Sequence, residues 1–252
     1  LGLARLEGRT CLITGATSGI GLETAAGLAA LGARVVMVGR DRGRGERARK
    51  TVIEKSGNDR VDLLLADLSS LDGVRGLARE FLETYPALHV LVNNAGTVEL
   101  SRTLTVDGFE KTIAVNHLSH FLLTNLLLSR LRASAPSRIV NVSSEAHRFG
   151  RLDLADLHSA RSYRAMRVYG TSKLLNILFT VALAEKLAGS GVTANSLHPG
   201  AVSTGLGKNN GVWARFLIAL LRPFFLTPEQ GAENSIFVAA SDQLEGVSGK
   251  YF

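Results

Sequence analysis

Cysteine is nearly absent: Cys11 is the only one in 252 residues. A lone thiol cannot close an internal disulfide or build a cysteine-based zinc site, and such a chain suits a reducing compartment. Proline is scarce, at 5 residues, and only 6% of residues are aromatic. Rigid stops are therefore few, and no series of stacking rings accompanies the basic residues as it does in many nucleic-acid binders. No apolar run makes a convincing membrane span. Residues 112–129 contain no Asp, Glu, Lys or Arg, but Asn116, His117, His120 and Asn125 suit a buried helix better than a lipid-facing one. The stretch 212–226 is short and broken by Arg215 and Arg222; it could lie on a membrane surface or cover an apolar ligand. Repeats, low-complexity tracts and linkers are missing too.

Acidic residues are the minority, 22 against 29 basic, for a net charge of +7. The balance permits a polyanionic partner. It is uneven, however: residues 34–50 hold seven basic side chains against Asp41 and Glu46, so a local anion is an equally good explanation. With 46% hydrophobic and 20% charged residues, the chain is neither disordered nor fibrous. Its length suits one large α/β domain. It begins without methionine, so trimmed termini are expected and an N-terminal anchor stays open.

What is present is alternation. Short β-branched runs at 10–14, 34–38, 61–66, 88–92, 138–142, 192–197 and 249–252 read as seven strands. Helical patterns at 20–31, 44–55, 71–84, 109–132, 163–188 and 228–240 fall between them. This rhythm predicts one doubly wound domain over 1–252: a mostly parallel seven-stranded sheet with helices on both faces.

The first strand runs into Thr14-Gly15-Ala16-Thr17-Ser18-Gly19-Ile20-Gly21, which opens a helix. Glycines let the backbone turn tightly and let a pyrophosphate approach the amides at the helix N-terminus. The spacing is not the usual Gly-x-Gly-x-x-Gly, and an ordinary glycine-rich turn is the plain alternative. Where an NAD site wants an acid at the end of the second strand, Gly39 stands, followed by Arg40. A guanidinium there can grip a 2′-phosphate, so NADP(H) is expected over NAD(H), which remains a weaker option. Asp41 dissents. Most of Arg42, Arg44, Arg47 and Arg49 are expected on a solvated helix face. Asp67 ends the third strand, within reach of an adenine amino group, or simply heads the next helix before Ser69 and Ser70. Asn93-Asn94-Ala95-Gly96 is by itself only a turn signal.

Ser143-Ser144 closes the fifth strand, and Tyr169 and Lys173 follow in a helical pattern. Four apart, they share a helix face. An ammonium beside a phenol favours the phenolate, giving an acid/base usable near neutral pH. Ser144, at the strand end where open sheets bind ligands, could bond a substrate oxygen. A Tyr-x-x-x-Lys pair alone is common on helix surfaces; the upstream glycine loop and the serine make the catalytic reading the better one.

Together these motifs resemble the short-chain dehydrogenase/reductase family over essentially the whole chain, in its retinol dehydrogenase-like branch. The likeness rests on Thr14-Gly15 through Gly21, Asn93–Gly96, Ser144 and Tyr169-x-x-x-Lys173, with 115–124, 134–144, 197–200 and 247–252 matching the branch. It implies a Rossmann domain and reversible hydride transfer between NADP(H) and an alcohol or carbonyl. It implies a catalytic tetrad of Asn116, Ser144, Tyr169 and Lys173, with the Asn116 carbonyl holding a relay water and Lys173 on the nicotinamide ribose. Cofactor contacts are implied at Gly15, Thr17, Ser18, Gly19, Ile20, Gly21, Arg40, Asp67, Leu68, Asn94, Ala95, Gly96, Tyr169, Lys173, Pro199, Gly200, Val202 and Thr204. The stretch between Ser144 and Tyr169 is about a dozen residues longer than in the commonest members, another feature of the branch.

The pocket is expected between residues 149–162 and an apolar lid over about 201–227, where Trp213, Phe216, Leu217 and Phe224 could wrap a lipophilic substrate or pack on the sheet or another subunit. His117 and His120 are expected to serve packing and local hydrogen bonds, and no metal site is expected. The long helices 109–132 and 163–188 could form a homodimer interface. A cytoplasmic or cytoplasm-facing place with peripheral membrane contact is expected, and no nucleic-acid partner. The rival reading is a non-catalytic NADP(H)-binding scaffold on the same fold.

Overall fold

Aliphatic runs buried on both sides make a parallel sheet. The computed structural model describes residues 2–200 and 227–252. Six strands, β1 (Thr10–Thr14), β2 (Arg34–Gly39), β3 (Val61–Leu65), β4 (Val90–Asn93), β5 (Ser137–Val142) and β6 (Val192–Leu197), pair in the order β3-β2-β1-β4-β5-β6. Every pairing is parallel; Leu12 at the centre stands opposite Val36 on one side and Leu91 on the other. The strand order reverses between β1 and β4, the switch point where a crevice opens in doubly wound sheets.

The expected seventh strand is present only as a bridge. Tyr251 pairs in parallel with Ser196, and backbone bonds run from Ser196 N to Lys250 O and from His198 N to Phe252 O. Gly249 has φ 77, so the extended stretch starts only after it and is too short to count as a strand.

The helices are α1 (Gly19–Ala30), α2 (Arg42–Ser56), α3 (Leu71–Thr84), α4 (Lys111–Ile113), α5 (Ser119–Ala133), α6 (Ala165–Lys186) and α7 (Pro228–Ala240). Alternation along the strands divides the core. Cys11 and Ile13 of β1 face Ala25, Leu28, Val52 and Val238 of α1, α2 and α7. Leu12 faces Leu77, Phe81, Leu127 and Phe179 of α3, α5 and α6. Burying each large side chain contributes roughly 1.5–3 kcal/mol. The ends obey local chemistry: Asp41 and Ser70 accept backbone N–H bonds at the heads of α2 and α3, and Thr227 and Gln230 form a capping box on α7.

The predicted long helix 109–132 is not uniform. It starts at α4, loosens into a π-turn over Ala114–Leu118, and continues as α5. Glu110, fully buried, fixes its start by accepting from Thr112 N and Ile113 N. Single π-turns inside helices often mark functional positions, and Asn116 sits in the middle of this one.

Candidate active site

The glycine loop is shaped by what a side chain would strike. Gly15 has φ 66 and Gly19 φ 57, and a Cβ at Gly21 would stand 2.4 Å from both Asn94 Nδ2 and Gly15 O. The loop thus lies directly on the turn after β4. Asn94 Nδ2 donates to Thr14 O (2.8 Å), and Thr14 Oγ1 accepts from Asn94 N and Ala95 N. At the head of α1, Ser18 makes no side-chain cap. Its hydroxyl instead accepts from the Arg44 guanidinium at 2.8 Å. The backbone donors of the first turn therefore line the cleft without a cap from the Ser18 side chain, which suits a pyrophosphate.

Asp41 is used locally: it caps α2 through Arg44 N at 2.7 Å. Arg40 and Arg44 are both exposed and both line the cleft, so Arg44 is solvated as expected but also reaches the site. Burial pushes the Asp67 carboxyl up, but hydrogen bonds from Ser69, with Arg40 and Lys111 nearby, outweigh this and hold it below its ordinary range.

At the other end, Ser143 Oγ donates to Lys173 O at 2.8 Å, pinning the end of β5 to α6. The turn Glu145–Phe149 then lies on α6 with almost no gap, since a Cβ on Gly170 would stand 2.4 Å from Ala146 O. This brings the Ser144 hydroxyl beside Tyr169. Lys173 is buried; its Nζ donates to Val142 O at 3.0 Å and lies 5.6 Å from the centre of the Tyr169 ring. Burial lowers Lys173 to about 8. Burial also raises the Tyr169 phenol, which the Ser144 hydroxyl partly offsets. The lowered phenol expected from the Tyr-x-x-x-Lys spacing is therefore not seen; the ammonium lies over the ring and is itself desolvated.

Asn116 is fully buried behind the cleft. Its side chain accepts from Thr97 N (2.7 Å) and donates to Thr97 O and Ser172 Oγ (both 3.0 Å). A cleft of about 540 Å³ is lined by Gly15, Thr17, Ser18, Gly19, Ile20, Gly21, Arg40, Asp67, Leu68, Asn94, Ala95, Gly96, Tyr169, Lys173 and Pro199. Ser144, Asn116 and Gly200 are outside that lining, and Val202, Thr204 and nearly all of the expected lid lie outside the described residues. Thr97, Glu99 and Lys111 also line it, and no sequence argument picks them out; Val115 and Ser143, beside Asn116 and Ser144 in the quoted motifs, line it too. Lys111 and Glu99 pair at 3.0 Å on its wall. Residues 149–162 are docked: Arg102 Nε donates to His158 O, and the Tyr163 hydroxyl to Glu99 O at 2.8 Å. Among the described residues no His, Cys, Asp or Glu cluster could hold a metal, and no helix is long and apolar enough to cross a membrane.

A crevice at the switch point of a parallel sheet, entered by an uncapped glycine-loop helix and a Tyr–Lys pair, defines a nicotinamide-dependent oxidoreductase. The family model of short chain dehydrogenases matches residues 9–214. Retinol dehydrogenase 14 of Mus musculus is 49% identical, over 98% of this chain and 78% of its own. The crystal structure of a Mycobacterium paratuberculosis protein superposes with a TM-score of 0.79 at 37% identity, covering 99% of this chain and 81% of that one. The Pseudomonas aeruginosa RhlG/NADP active-site complex superposes at 0.77 with 30% identity, over 98% and 94%. The chain belongs to the short-chain dehydrogenase family, is retinol dehydrogenase-like, and is an oxidoreductase acting on CH–OH groups.

Proposed function

We propose that the protein is an NADP(H)-preferring dehydrogenase/reductase that interconverts a lipophilic alcohol and its aldehyde or ketone. One observation carries this reading: Tyr169, with the Ser144 hydroxyl beside it and Lys173 buried under its ring, opens on the same cleft as Arg40, Arg44 and the glycine loop. The cofactor, when bound, supplies or accepts hydride at C4 of its nicotinamide.

The protein's part is positioning and proton movement. The loop Gly15–Gly21 would hold the pyrophosphate, and Arg40 with Arg44 would take the 2′-phosphate. Asp67 and Leu68 would meet the adenine, and Asn94, Ala95 and Gly96 its ribose. Pro199 and Gly200 would border the nicotinamide. In reduction the Tyr169 hydroxyl donates its proton to the carbonyl oxygen, and its raised pKa keeps that proton in place at neutral pH. Ser144 donates a hydrogen bond to the same oxygen. Lys173 bonds the ribose and resupplies the proton, and Asn116, through its backbone carbonyl, continues the relay.

One catalytic domain over 1–252 carries the cofactor cleft and the substrate site together. The exposed Phe121 of α5 and Leu178 and Val181 of α6 support a homodimer through these helices. A cytoplasm-facing position with peripheral membrane contact accords with a lipophilic substrate. NADPH and NADH oxidation should be followed against all-trans-retinal, a medium-chain aldehyde, a cyclic ketone and a short polar aldehyde, with Tyr169→Phe beside the wild type. The expected result is NADPH-linked turnover of the apolar carbonyls, lost by about 10²–10⁴ in Tyr169→Phe with NADPH still bound. Tight NADPH binding without turnover would favour the scaffold reading instead.

A further inference from the structure

Beside the tetrad lies a buried amide that the proposed chemistry does not use. Asn176, on α6 one turn after Lys173, is fully buried. Its Nδ2 donates to the backbone carbonyl of Asn116 at 2.9 Å and leans on Val142 O at 3.5 Å. Val142 O is the same carbonyl that accepts from Lys173 Nζ. Donation to two carbonyls fixes the amide's orientation, so Oδ1 points the other way, to His117 Nδ1 at 3.0 Å. An amide oxygen only accepts, so His117 carries its proton on Nδ1. The imidazole is held by Phe121 and Phe179, 6.4 and 6.1 Å between ring centres. Burial lowers the His117 pKa, so the ring is neutral and the amide is gripped by a neutral donor.

We propose that Asn176, anchored by His117, is a positioning residue of the proton relay: its amide sets the direction of the Asn116 carbonyl. This rests on the relay role given above to Asn116 and Lys173. The π-turn loosens the backbone at Asn116, so that carbonyl needs a partner to fix its aim. Asn176 takes one of its two lone pairs and leaves the other for a relay water. Without the amide, the carbonyl swings, and the route by which a proton reaches Lys173 during reduction lengthens. A displacement of about 1 Å in such an arrangement can cost on the order of 10²-fold in rate.

The test uses Asn176→Leu, close in shape but unable to bond, with His117→Phe and His117→Asn. Phenylalanine keeps the ring contacts without a donor, whereas the asparagine amide places a donor near the lost Nδ1. NADPH affinity, kcat, KM and the solvent deuterium isotope effect are measured with the better of all-trans-retinal and decanal. We expect Asn176→Leu to lower kcat by about 10- to 10²-fold, with KM and NADPH affinity kept and the solvent isotope effect enlarged. His117→Phe should shift kcat and the isotope effect the same way, and His117→Asn should restore both. A wild-type kcat and isotope effect in Asn176→Leu overturns the proposal. Should that variant fail to fold, equal behaviour of His117→Phe and His117→Asn overturns it. Wild-type protein that turns over neither aldehyde removes the functional reading, and the proposal falls with it.

Discussion

Replacing Arg40 with leucine tests cofactor choice directly. Arg40 follows β2, is exposed and lines the cleft beside the glycine loop. A hydrogen bond between charged partners is worth about 1.5–3 kcal/mol, and solvent screening at an exposed site brings it toward the low end. Taking about 1.4 kcal/mol, Arg40→Leu should weaken NADPH roughly tenfold and leave NADH unchanged, because only NADPH carries the 2′-phosphate. Arg44→Leu should behave differently. Its guanidinium also holds the Ser18 hydroxyl, and once released that hydroxyl is free to cap α1 and compete with the pyrophosphate. NADH should therefore weaken as well, though less than NADPH. Both arginines would meet one phosphate, so the double variant should lose less than the sum of the two singles. Titration of intrinsic fluorescence with each nucleotide measures all eight dissociation constants, at low and at physiological salt. Equal weakening of NADPH and NADH in Arg40→Leu would refute the reasoning, as would a wild type with no NADPH preference.

Three further outcomes follow from the geometry. Gly39→Asp, the acid of an NAD site, should weaken NADPH without gaining NADH, since a Cβ there stands 2.4 Å from Thr17 Cγ2; adding Thr17→Gly should recover NADH binding, and an NADH gain in the single variant would count against the clash. Lys173 is held near 8 against an ordinary 10.5, so below about 8 folding carries the cost of a desolvated charge, and that cost fades as pH rises from 8 to 10.5, where the unfolded chain binds more protons. The Tm of Lys173→Met relative to wild type should thus be more favourable at pH 7 than at pH 10 without cofactor, and a pH-independent difference would remove that account. Phe81, fully buried and stacked on Tyr85 at 4.9 Å, should cost about 3–5 kcal/mol on replacement by alanine, read by urea unfolding; less than about 1 kcal/mol would mean the site collapses freely.

The elements that repeat locally could be read from the sequence, and those made by distant partners could not. Strands β1, β2, β3, β5 and β6 fall where the β-branched runs put them. The glycine loop is legible because turn, strand end and helix start are neighbours in the chain. The stretch 109–132 reads as one helix because its apolar spacing continues unbroken. Nothing in that pattern records the π-turn, which follows from Glu110 capping α4 and from Asn116 bonding across to Thr97. Arg44 reads as a surface residue and is one, but helical periodicity gives a face and not what stands opposite it, here Ser18 from another element. His117 was rightly expected to make packing contacts and hydrogen bonds, but its partner, Asn176, is 59 residues away. The raised Tyr169 phenol is likewise a product of burial, which spacing along a helix does not measure.

The π-turn at Ala114–Leu118 also bears on which changes in length the chain can survive. A π-turn behaves as one residue added to an α-helix, and each residue turns an α-helix by about 100°. Removing a single codon between 114 and 118 would let the backbone relax to an ordinary helix while Glu110 holds its start. α5 would then keep its face on the core, because the wide turn already absorbs the extra residue, but the Asn116 carbonyl would lose the place it holds in the loosened turn. A one-residue deletion in this turn is thus absorbed by the fold yet costly to the site, even where every remaining side chain is unchanged.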